Sequence, residues 1–554
     1  MADSDYSLYL RRLASLESER SSWIAHYQDI SNHLLPRSGR FFSQDRNNGA
    51  RRHNNIYDST GTRSLRVLGA GLMGGATSPV RPWFRMGTAD KELMKSEPVK
   101  VWLADVAKLM FAVFQKSNTY RTLHHMYEEL GAFGTAATIV AEDFDRVIHH
   151  HGLTAGEYCI AQDWRSDICT VYREFQKTVG EIVKEFGKEN CSMHVLDHYD
   201  RGNLDVWVTI IHAIEPRADR DVRKRDSKNM PFKSVYFEKH EQAKSGKVLR
   251  EGGYKQFPAL VPRWATAGGD IYGNGPGMEA LGDIKQLQHE QLRKAQGIDY
   301  MTKPPLQVPL SMKNSSVETL PGGISFVDTA SPTGGIRTAF EVNLNLRDLG
   351  EDIRDVRERI RDSFYVDMFL MLSNDNRSGT TAYEVAERHE EKLLMLGPTV
   401  ERLHNELLDP LVNMTFDRIL ESGALPPPPP ELSNQEINIE YISMLAQAQR
   451  AVATNGIDRF VVSLGNVASF KPGVLDKFDE DRWAEEYSDM LGVDPSFIVP
   501  DAKVAIIRQQ RAQQEQAAQQ AAMVNQGADT AQKLGSVDTG GQNAAADIMK
   551  MFSQ

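Results

Sequence analysis

The sequence predicts a mainly α-helical protein with smaller β-rich modules, which places it in the α+β class. Long segments carry apolar residues at three- and four-residue steps, the period of an amphipathic helix, and the first spans residues 4–36. Between residues 136 and 264 the pattern changes, and VWVTIIHAI (206–214) combines the β-branched and aromatic residues typical of strands. Apolar residues make up 41% of the chain and charged residues 25%, an ordinary globular composition.

Composition also excludes several classes of protein. The 554 residues include 64 Lys and Arg against 75 Asp and Glu, a formal charge of −11, which argues against a protein that grips nucleic acid with its whole surface. Cys159, Cys169 and Cys191 are too few and too unevenly spaced for a disulfide framework, and no CxxC pair indicates structural zinc. The N-terminus is too polar for a signal peptide and no apolar run reaches roughly 18 residues, so we expect a protein with reduced thiols that is made and used without crossing a membrane.

In the first half of the chain, Pro36 ends the first helix and an arginine-rich loop follows. The second helix is predicted over 58–76, with Asp58, Ser59 or Thr60 as its N-cap. Further helices are predicted over 96–116 and 119–132, before the β-rich part.

In the second half, helices over about 277–300 and 345–370 bracket a module with short β-like pieces at 304–343. Such a hairpin of helices with narrow apolar stripes needs neighbours on its flanks, and copies of the same chain in a ring would supply them. The second of these helices carries one apolar seam, formed by Leu346, Leu349, Ile353, Val356, Ile360 and Phe364.

A polar break at 373–381 precedes a third long helix, predicted over 382–422 with kinks at Pro398 and Pro410. Five consecutive prolines at 426–430 predict a stiff polyproline spacer. Helices are also predicted over 436–495 and 508–523.

Two motifs could hold a ligand, and neither fits its chemistry well. Residues 69–74 match GxGxxG, but a helix-like stretch precedes them, the reverse of a dinucleotide fingerprint, so close packing at a helix end is the better interpretation. Residues 149–151 are all histidine, but neighbours along a strand point to opposite faces, so we predict a turn between strands and not a metal site. The sequence therefore indicates no catalytic, cofactor-binding or metal-binding residue.

Two charge clusters have open interpretations. An arginine cluster between residues 37 and 85 could contact phosphate or an acidic neighbouring subunit, or form a solvated or internally paired surface. In the helix 345–370, Arg354 with Glu358 and Asp355 with Arg359 are spaced to pair, either as an exposed salt-bridged face or between subunits. The arginines of the first cluster are Arg37, Arg40, Arg46, Arg51, Arg52, Arg63, Arg66, Arg81 and Arg85.

Three segments stand out in order along the chain. They are IYDSTGTRSLRVLGAGLMGGATSPVRPWFRM (56–86), GNGPGMEALGDIKQLQ (273–288) and TTAYEVAERHEEKLLMLGPTVERLHNELLDPLVNMTFDRI (380–419). The first is similar to the N-terminal signature of the portal proteins, or head-to-tail connectors, of short-tailed phages (podoviruses). The second resembles the start of that family's first stem helix, and the third resembles its long helix after the channel loop. Together the resemblance runs from residue 5 to about 500.

The resemblance implies the portal fold and a ring, typically of twelve copies, at one capsid vertex, through which double-stranded DNA passes during packaging and ejection. The implied parts are a wing (1–272), a first stem helix (273–302), a clip (303–343), a second stem helix (344–371), a channel loop (372–381), a long wing helix with the Pro-rich spacer (382–435), a crown (436–500), and a C-terminal barrel helix with a flexible tail (501–554).

Within this layout, Asn374, Asn376, Arg377 and Ser378 are expected to touch DNA phosphates transiently. Sparse positive charge suits a channel, because neutralising roughly 6–10 phosphates would hold the duplex tightly at low salt. The expected subunit-interface residues of the stem are Arg354, Asp355, Glu358 and Arg359.

The resemblance also implies partners and a location. The partners are the terminase large subunit, a tail adaptor, the major capsid protein and a scaffolding protein, with no cofactor and no membrane. The chain carries no ATP-binding loop, so a separate terminase docked on the clip would supply the packaging energy. The expected location is the portal vertex of the virion, after assembly in the host cytoplasm. Two alternatives stay open: another oligomeric virion structural protein, such as an adaptor or internal core protein, or an enzyme that uses residues 69–74 or 149–151.

Overall fold

A computed structural model of the chain describes residues 2–41, 55–90, 93–224, 226–239, 247–308, 313, 336–339, 345–373, 395–432, 437–443, 445, 460–471, 473–474, 478–491, 499 and 503–518. The chain divides into two compact units, residues 1–452 and 453–554. Helices and antiparallel sheets occur together in the first unit, which confirms the predicted α+β class.

Within the described residues, the helices of the first unit are α1 (Ala2–His33), α2 (Thr60–Ala76), α3 (Glu97–Lys116), α4 (Thr119–Phe133), α5 (Val179–Phe186), α6 (Met193–Asp200), α7 (Pro276–Glu279), α8 (Leu281–Thr302), α9 (Leu346–Ser363), α10 (Val366–Ser373), α11 (Gly397–Leu403) and α12 (Asp409–Glu421). Its strands are β1 (Phe84–Thr88), β2 (Ala137–Asp143), β3 (Val147–Leu153), β4 (Tyr158–Gln162), β5 (Ile168–Thr178), β6 (Trp207–Pro216), β7 (Phe232–Glu238), β8 (Val248–Tyr254), β9 (Ala259–Leu260), β10 (Leu306–Gln307), β11 (Arg337–Thr338) and β12 (Ile437–Tyr441).

The largest sheet is an antiparallel meander in the order β4-β5-β6-β7-β8. Its central strand, β6, is buried on both faces, which explains the nearly continuous apolar run at 206–214. On one face, Ile211 packs with Tyr6 and Leu13 of α1; on the other, Ile210 packs with Val195 of α6 and with residues of α5. The strand prediction at 206–214 is therefore confirmed.

The histidine run lies inside strand β3, so the predicted turn at 149–151 is wrong. His149 and His150 pair with Ala141 and Val140 of β2, and the turn comes earlier, after Asp143. The three histidines alternate between faces: His150 is buried with Nε2 3.0 Å from Oγ1 of Thr119, while the rings of His149 and His151 lie 4.9 Å apart on the other face. They do not converge on one point.

Residues 437–441 form a strand where the sequence predicts helix. This strand, β12, pairs antiparallel with β1, and Phe84 lies opposite Tyr441. Ile437, Ile439 and Tyr441 alternate with polar residues and pack on the main core. This alternation is the pattern of a half-buried strand, and here it outweighs the helical pattern of the residues that follow.

The GxGxxG glycines lie within α2 and serve its packing. A Cβ at Gly69 would lie 2.9 Å from Cγ of Glu128 on α4, and a Cβ at Gly71 would overlap the Phe369 ring on α10. Close packing is thus confirmed, although inside the helix and not at its end.

The helix predicted over 345–370 is two helices, α9 and α10. Tyr365 separates them in the left-handed conformation, with φ of 55°, and its N–H donates to the Asp362 carbonyl at 3.0 Å. The prediction was wrong because the apolar run from Phe364 continues the helical composition without a glycine or proline. The break turns α10 so that Phe369 packs over α2.

The third long helix is interrupted where its prolines lie, as predicted. Pro398 stands in the first turn of α11 and Pro410 in the first turn of α12. A π-helical turn, His404–Leu408, joins the two helices. Pro410 has no N–H to donate to the preceding turn, and a wider turn at this point accommodates the missing bond. Residues 382–394 lie outside the described residues.

The proline run 426–430 is packed against the fold and is not a free spacer. Nε1 of Trp102 on α3 donates to the Pro426 carbonyl at 3.0 Å, and Oγ of Ser96 donates to Glu431 at 3.0 Å. The rigid backbone of the run presents a fixed carbonyl to this partner, which the polyproline pattern alone does not reveal.

The described part of the second unit contains helical residues 460–468, the helix Glu480–Leu491, and helical residues 503–518. Arg508 pairs with Asp481 at 2.6 Å and with Glu480 at 3.1 Å, which ties two of these helices together. The predicted Gln/Ala-rich helix is thus confirmed as far as residue 518. In the described parts of both units, no helix is both long enough and apolar enough to span a bilayer.

Candidate subunit-interface and channel elements

Helices α8 and α9 form an antiparallel hairpin, as the sequence predicts. Asp283, near the start of α8, lies 3.2 Å from Arg359, near the end of α9. At the opposite ends of these helices, β10 and β11 pair antiparallel, with Leu306 opposite Thr338. The described strands β10 and β11 therefore lie at the tip of the hairpin.

One side of the hairpin is apolar and buried. Ile353, Val356 and Ile360 of α9 are each at most 2% exposed, and they share the main core with Ile284 and Leu287 of α8. Their spacing is the predicted seam, so the sequence located the buried face of α9 correctly.

A polar node fastens the hairpin to the start of α2. Both Oδ atoms of Asp58 accept hydrogen bonds: Oδ1 from the Thr60 N–H at 2.8 Å, and Oδ2 from Nη2 of Arg357 at 2.7 Å. Oε1 of Gln288 accepts from the N–H groups of Tyr57 and Asp58 at 2.6 and 2.8 Å, and its Nε2 donates to the Asp58 carbonyl at 2.9 Å. Buried and partly buried hydrogen bonds therefore join the start of α2 to α8 and α9.

The Asp58 carboxylate is stabilised in its charged form. Burial acts to raise its pKa, but the hydrogen bonds from Thr60 and Arg357 outweigh burial and hold the pKa below its ordinary value. The sequence predicts Asp58 only as one of three possible caps. Gln288 was missed, although a glutamine beside the apolar stripe of α8 is the signal that could have revealed it.

The other side of the hairpin is charged and exposed. Helix α9 carries five arginines and six carboxylates, so its exposed face has almost no net charge. Arg359 pairs with Asp355 at 2.6 Å, as predicted, and also reaches Asp283. This face can complement a similar face, yet it lacks the excess of cations that would hold a phosphate backbone.

Arg354 and Glu358 do not form their predicted pair. Both side chains are exposed, and neither makes an ion pair or side-chain hydrogen bond with any described residue. Nearby arginines are occupied: Arg357 binds Asp58 and Arg361 binds Asp367 at 2.7 Å. Arg354 and Glu358 are thus two charges of opposite sign that the described part of a single chain leaves without partners.

Exposed apolar side chains collect where α8 meets the tip module. Tyr300, Met301, Leu306 and Val308 are each between 39 and 46% exposed. The rest of the module at 309–335, apart from Lys313, lies outside the described residues, as do Asn374, Asn376, Arg377 and Ser378 of the predicted channel loop.

The arginine cluster between residues 37 and 85 divides into paired and exposed members. Arg40 binds Glu157 at 2.5 Å and Arg85 binds Glu440 at 2.6 Å. Arg63 and Arg66 lie exposed on one face of α2. Internal pairing therefore accounts for part of the cluster. Arg46, Arg51 and Arg52 fall outside the described residues.

Within the described residues, no three His, Cys, Asp or Glu side chains are placed to hold a metal ion. All three cysteines are free thiols. The candidate functional elements are therefore the helical hairpin, its tip and its charged face.

Comparison with known proteins shows the family to which the chain belongs. A family model described as bacteriophage head to tail connecting protein matches residues 7–499. The chain belongs to this family. It is 63% identical over 550 residues to a protein of Bordetella phage BPP-1 named as a probable portal protein, covering 99% of both chains. It is 43% identical over 549 residues to the portal protein of Salmonella phage epsilon15, covering 99% of this chain and 98% of that one.

The family assignment places the helical hairpin of α8 and α9 inside a connecting protein. It also confirms the resemblance that the segments at 56–86, 273–288 and 380–419 indicate, since the matched range contains all three.

Proposed function

We propose that the chain is a phage portal protein, a dodecameric ring at one capsid vertex that conducts double-stranded DNA during packaging and ejection. The observation that carries the proposal is the match to head-to-tail connecting proteins over residues 7–499, together with 63% identity over essentially the full length to a probable portal protein. In this proposal a separate terminase supplies the energy for packaging. The portal itself therefore needs no catalytic residue.

The hairpin of α8 and α9 is the proposed stem of the ring. Its buried seam fastens it to its own subunit, so the exposed, nearly neutral face of α9 remains for a neighbouring copy or the axis. Arg354 and Glu358 suit an interface between copies because the described part of a single chain leaves both without partners. Asp355 and Arg359, which pair with each other, flank them on the same helix.

The module at the tip of the stem is the proposed clip, where the terminase large subunit docks during packaging and a tail adaptor afterwards. Exposed apolar side chains at its base, including Tyr300 and Leu306, are the kind of surface that protein partners cover. The major capsid protein and a scaffolding protein are the proposed partners during assembly.

The channel loop is proposed to line the axis, with Asn374, Asn376, Arg377 and Ser378 contacting phosphates transiently. Arg377 is the single cation of residues 373–381. A sparse, polar lining lets DNA slide, because each extra phosphate neutralised strengthens binding.

Electron microscopy of the purified full chain in negative stain tests the proposal. We expect rings with an open axial hole. Filled discs or a compact monomer would contradict it and would favour the alternative, an adaptor or internal core protein of the virion.

A further inference from the structure

A cleft lies between α3 and the proline run that follows α12. Its volume is about 440 Å³, and its apolar walls are prolines of both segments together with Val101 and Trp102. Trp102 holds the two walls together, because its Nε1 donates to the Pro426 carbonyl at 3.0 Å. Val101 is 55% exposed, so the apolar wall is open to solvent.

The rim of this cleft is acidic. Glu97 and Asp105 of α3 line it, and both side chains are exposed. Glu97 forms no ion pair with any described residue, while Asp105 lies 3.5 Å from Lys108, which is itself exposed. Glu431 adds a third carboxylate beside the start of α3, where it accepts from Oγ of Ser96. Such a cleft fits an aromatic side chain that is accompanied by a cation.

The turn between β4 and β5 presents that combination. Trp164 is 85% exposed, and the Arg165 guanidinium lies 4.6 Å from the centre of its ring. Arg165 is exposed and forms no ion pair with any described residue. Tryptophan and arginine are the residues that most often dominate the binding energy of protein interfaces.

Hydrogen bonds fix the backbone of this turn. Oδ1 of Asp163 accepts from the Arg165 N–H at 2.8 Å. Ser166 has the left-handed conformation, with φ of 68°, and its carbonyl accepts from Nη2 of the buried Arg263 at 2.8 Å. A turn that is already ordered loses little conformational entropy when it binds a partner.

The turn and the cleft lie at opposite ends of α12. Arg263, which holds the turn, binds Glu406 at 2.7 Å in the π-helical turn just before α12. The proline run that walls the cleft begins after the other end of the helix, at Pro426. A helix of this length spans roughly 20 Å, so the turn occupies a different part of the surface from the cleft. A contact between two such separate patches joins copies head to tail, and it closes into a ring when the rotation fits.

We propose that the turn carrying Trp164 and Arg165 docks in the cleft of a second copy of this chain. Trp164 packs against Val101 and the prolines, and Arg165 pairs with Glu97 at the rim. The inference rests on the proposed ring, for which it names a contact between neighbouring copies outside the stem.

Sedimentation velocity of the purified full chain over a concentration series measures assembly. Trp164→Ala should raise the concentration at which half of the subunits are assembled by about tenfold or more, because it removes the aromatic anchor. The unfolding midpoint of the subunit should stay unchanged, because the side chain is exposed in its own chain.

Phe144→Ala is the matched control. Phe144 is a fully exposed aromatic residue at the turn between β2 and β3, so its removal also takes an exposed ring from a hairpin turn. This variant should assemble as wild type does.

Reversal of the charges tests the pairing itself. Arg165→Glu and Glu97→Arg should each weaken assembly, because each places like charges at the contact. The chain that carries both substitutions should assemble better than either single variant, since the reversed pair attracts again.

The outcomes separate this contact from the proposed function. Wild-type rings that Trp164→Ala and Arg165→Glu leave unaffected, an equal loss with Phe144→Ala, or a double variant no better than the single ones would overturn the contact and leave the ring in place. Wild-type oligomers that are not rings but depend on Trp164 would support the contact and contradict the proposed function. Wild type that stays monomeric at every concentration would overturn both.

Discussion

Arg357 of α9 donates two hydrogen bonds to a single oxygen of Asp58, from Nη2 at 2.7 Å and from Nε at 3.1 Å. The carboxylate is 8% exposed and stands at the start of α2, nearly three hundred positions earlier in the chain. This contact, together with Gln288, fastens the α8–α9 hairpin to the core of the first unit.

Asp58→Ala should lower the stability of the chain by about 1–3 kcal/mol, because it leaves Gln291, Arg357 and the N–H and hydroxyl groups of Thr60 without their acceptor. The thermal unfolding midpoint measures the loss. Asp352→Ala, an exposed carboxylate on α9, is the control and should change the midpoint little. Equal effects of the two substitutions would show that the hydrogen bonds to Asp58 do not stabilise the fold.

Glu129 should make the fold less stable as the pH rises between 4.5 and about 8. The side chain is 1% exposed, its Oε1 accepts from Thr154, and its Oε2 has no partner. Burial raises its pKa to about 8 from an ordinary value of 4.5. The folded state therefore holds a proton that the unfolded state releases above pH 4.5, and stability falls by about 1.4 kcal/mol per pH unit until the folded pKa is reached.

Glu129→Gln should remove this dependence, because the amide stays neutral. Unfolding midpoints from pH 5 to 8.5 should fall for wild type and fall less for the variant. Glu128→Gln, one residue earlier and partly exposed, should behave as wild type. Parallel curves for Glu129→Gln and wild type would show that the carboxyl is already charged in the fold.

Arg354→Glu should impair ring assembly without destabilising the subunit, since Arg354 has no partner in the described part of the chain. We expect the subunit's unfolding free energy to change by less than about 0.5 kcal/mol. The fraction of rings, measured by analytical ultracentrifugation, should drop. Arg220→Glu makes the same charge change away from the hairpin, and a drop of equal size there would mean that net charge, and not the proposed stem, is responsible.

Combined substitution of Asn376 and Arg377 by alanine should reduce DNA retention after packaging, because it removes the polar contacts proposed for the channel loop. Packaged genome length and leakage from filled heads are the measurements. Rings should still form. Unchanged packaging and retention would remove the proposed role of these residues.

Replacement of residues 309–335 by a short Gly/Ser linker should leave rings intact and abolish terminase and adaptor docking. The linker keeps β10 and β11, which pair with each other between α8 and α9. Pull-down of the terminase large subunit by assembled rings gives the readout. A deletion ring that still packages DNA would place the docking surface elsewhere.

Local patterns of apolar and polar residues determined many of the helices and strands of this protein. The amphipathic periods of α1 to α4, the seam of α9 and the apolar strand β6 follow from residue spacing, because burial of one face of a helix, or both faces of a central strand, selects side chains directly. The Asp355–Arg359 pair follows for the same reason, since its partners are one helical turn apart.

Tertiary structure alone decided the contacts between distant residues. The break at Tyr365 lets Phe369 pack over Gly71, β12 forms because β1 offers it an edge, and the proline run stays in place because Trp102 binds its carbonyl. Each of these contacts joins residues that are far apart in the chain. A local stretch of sequence therefore cannot predict them. The same holds for Asp58 and Arg357, which come from separate elements of the fold.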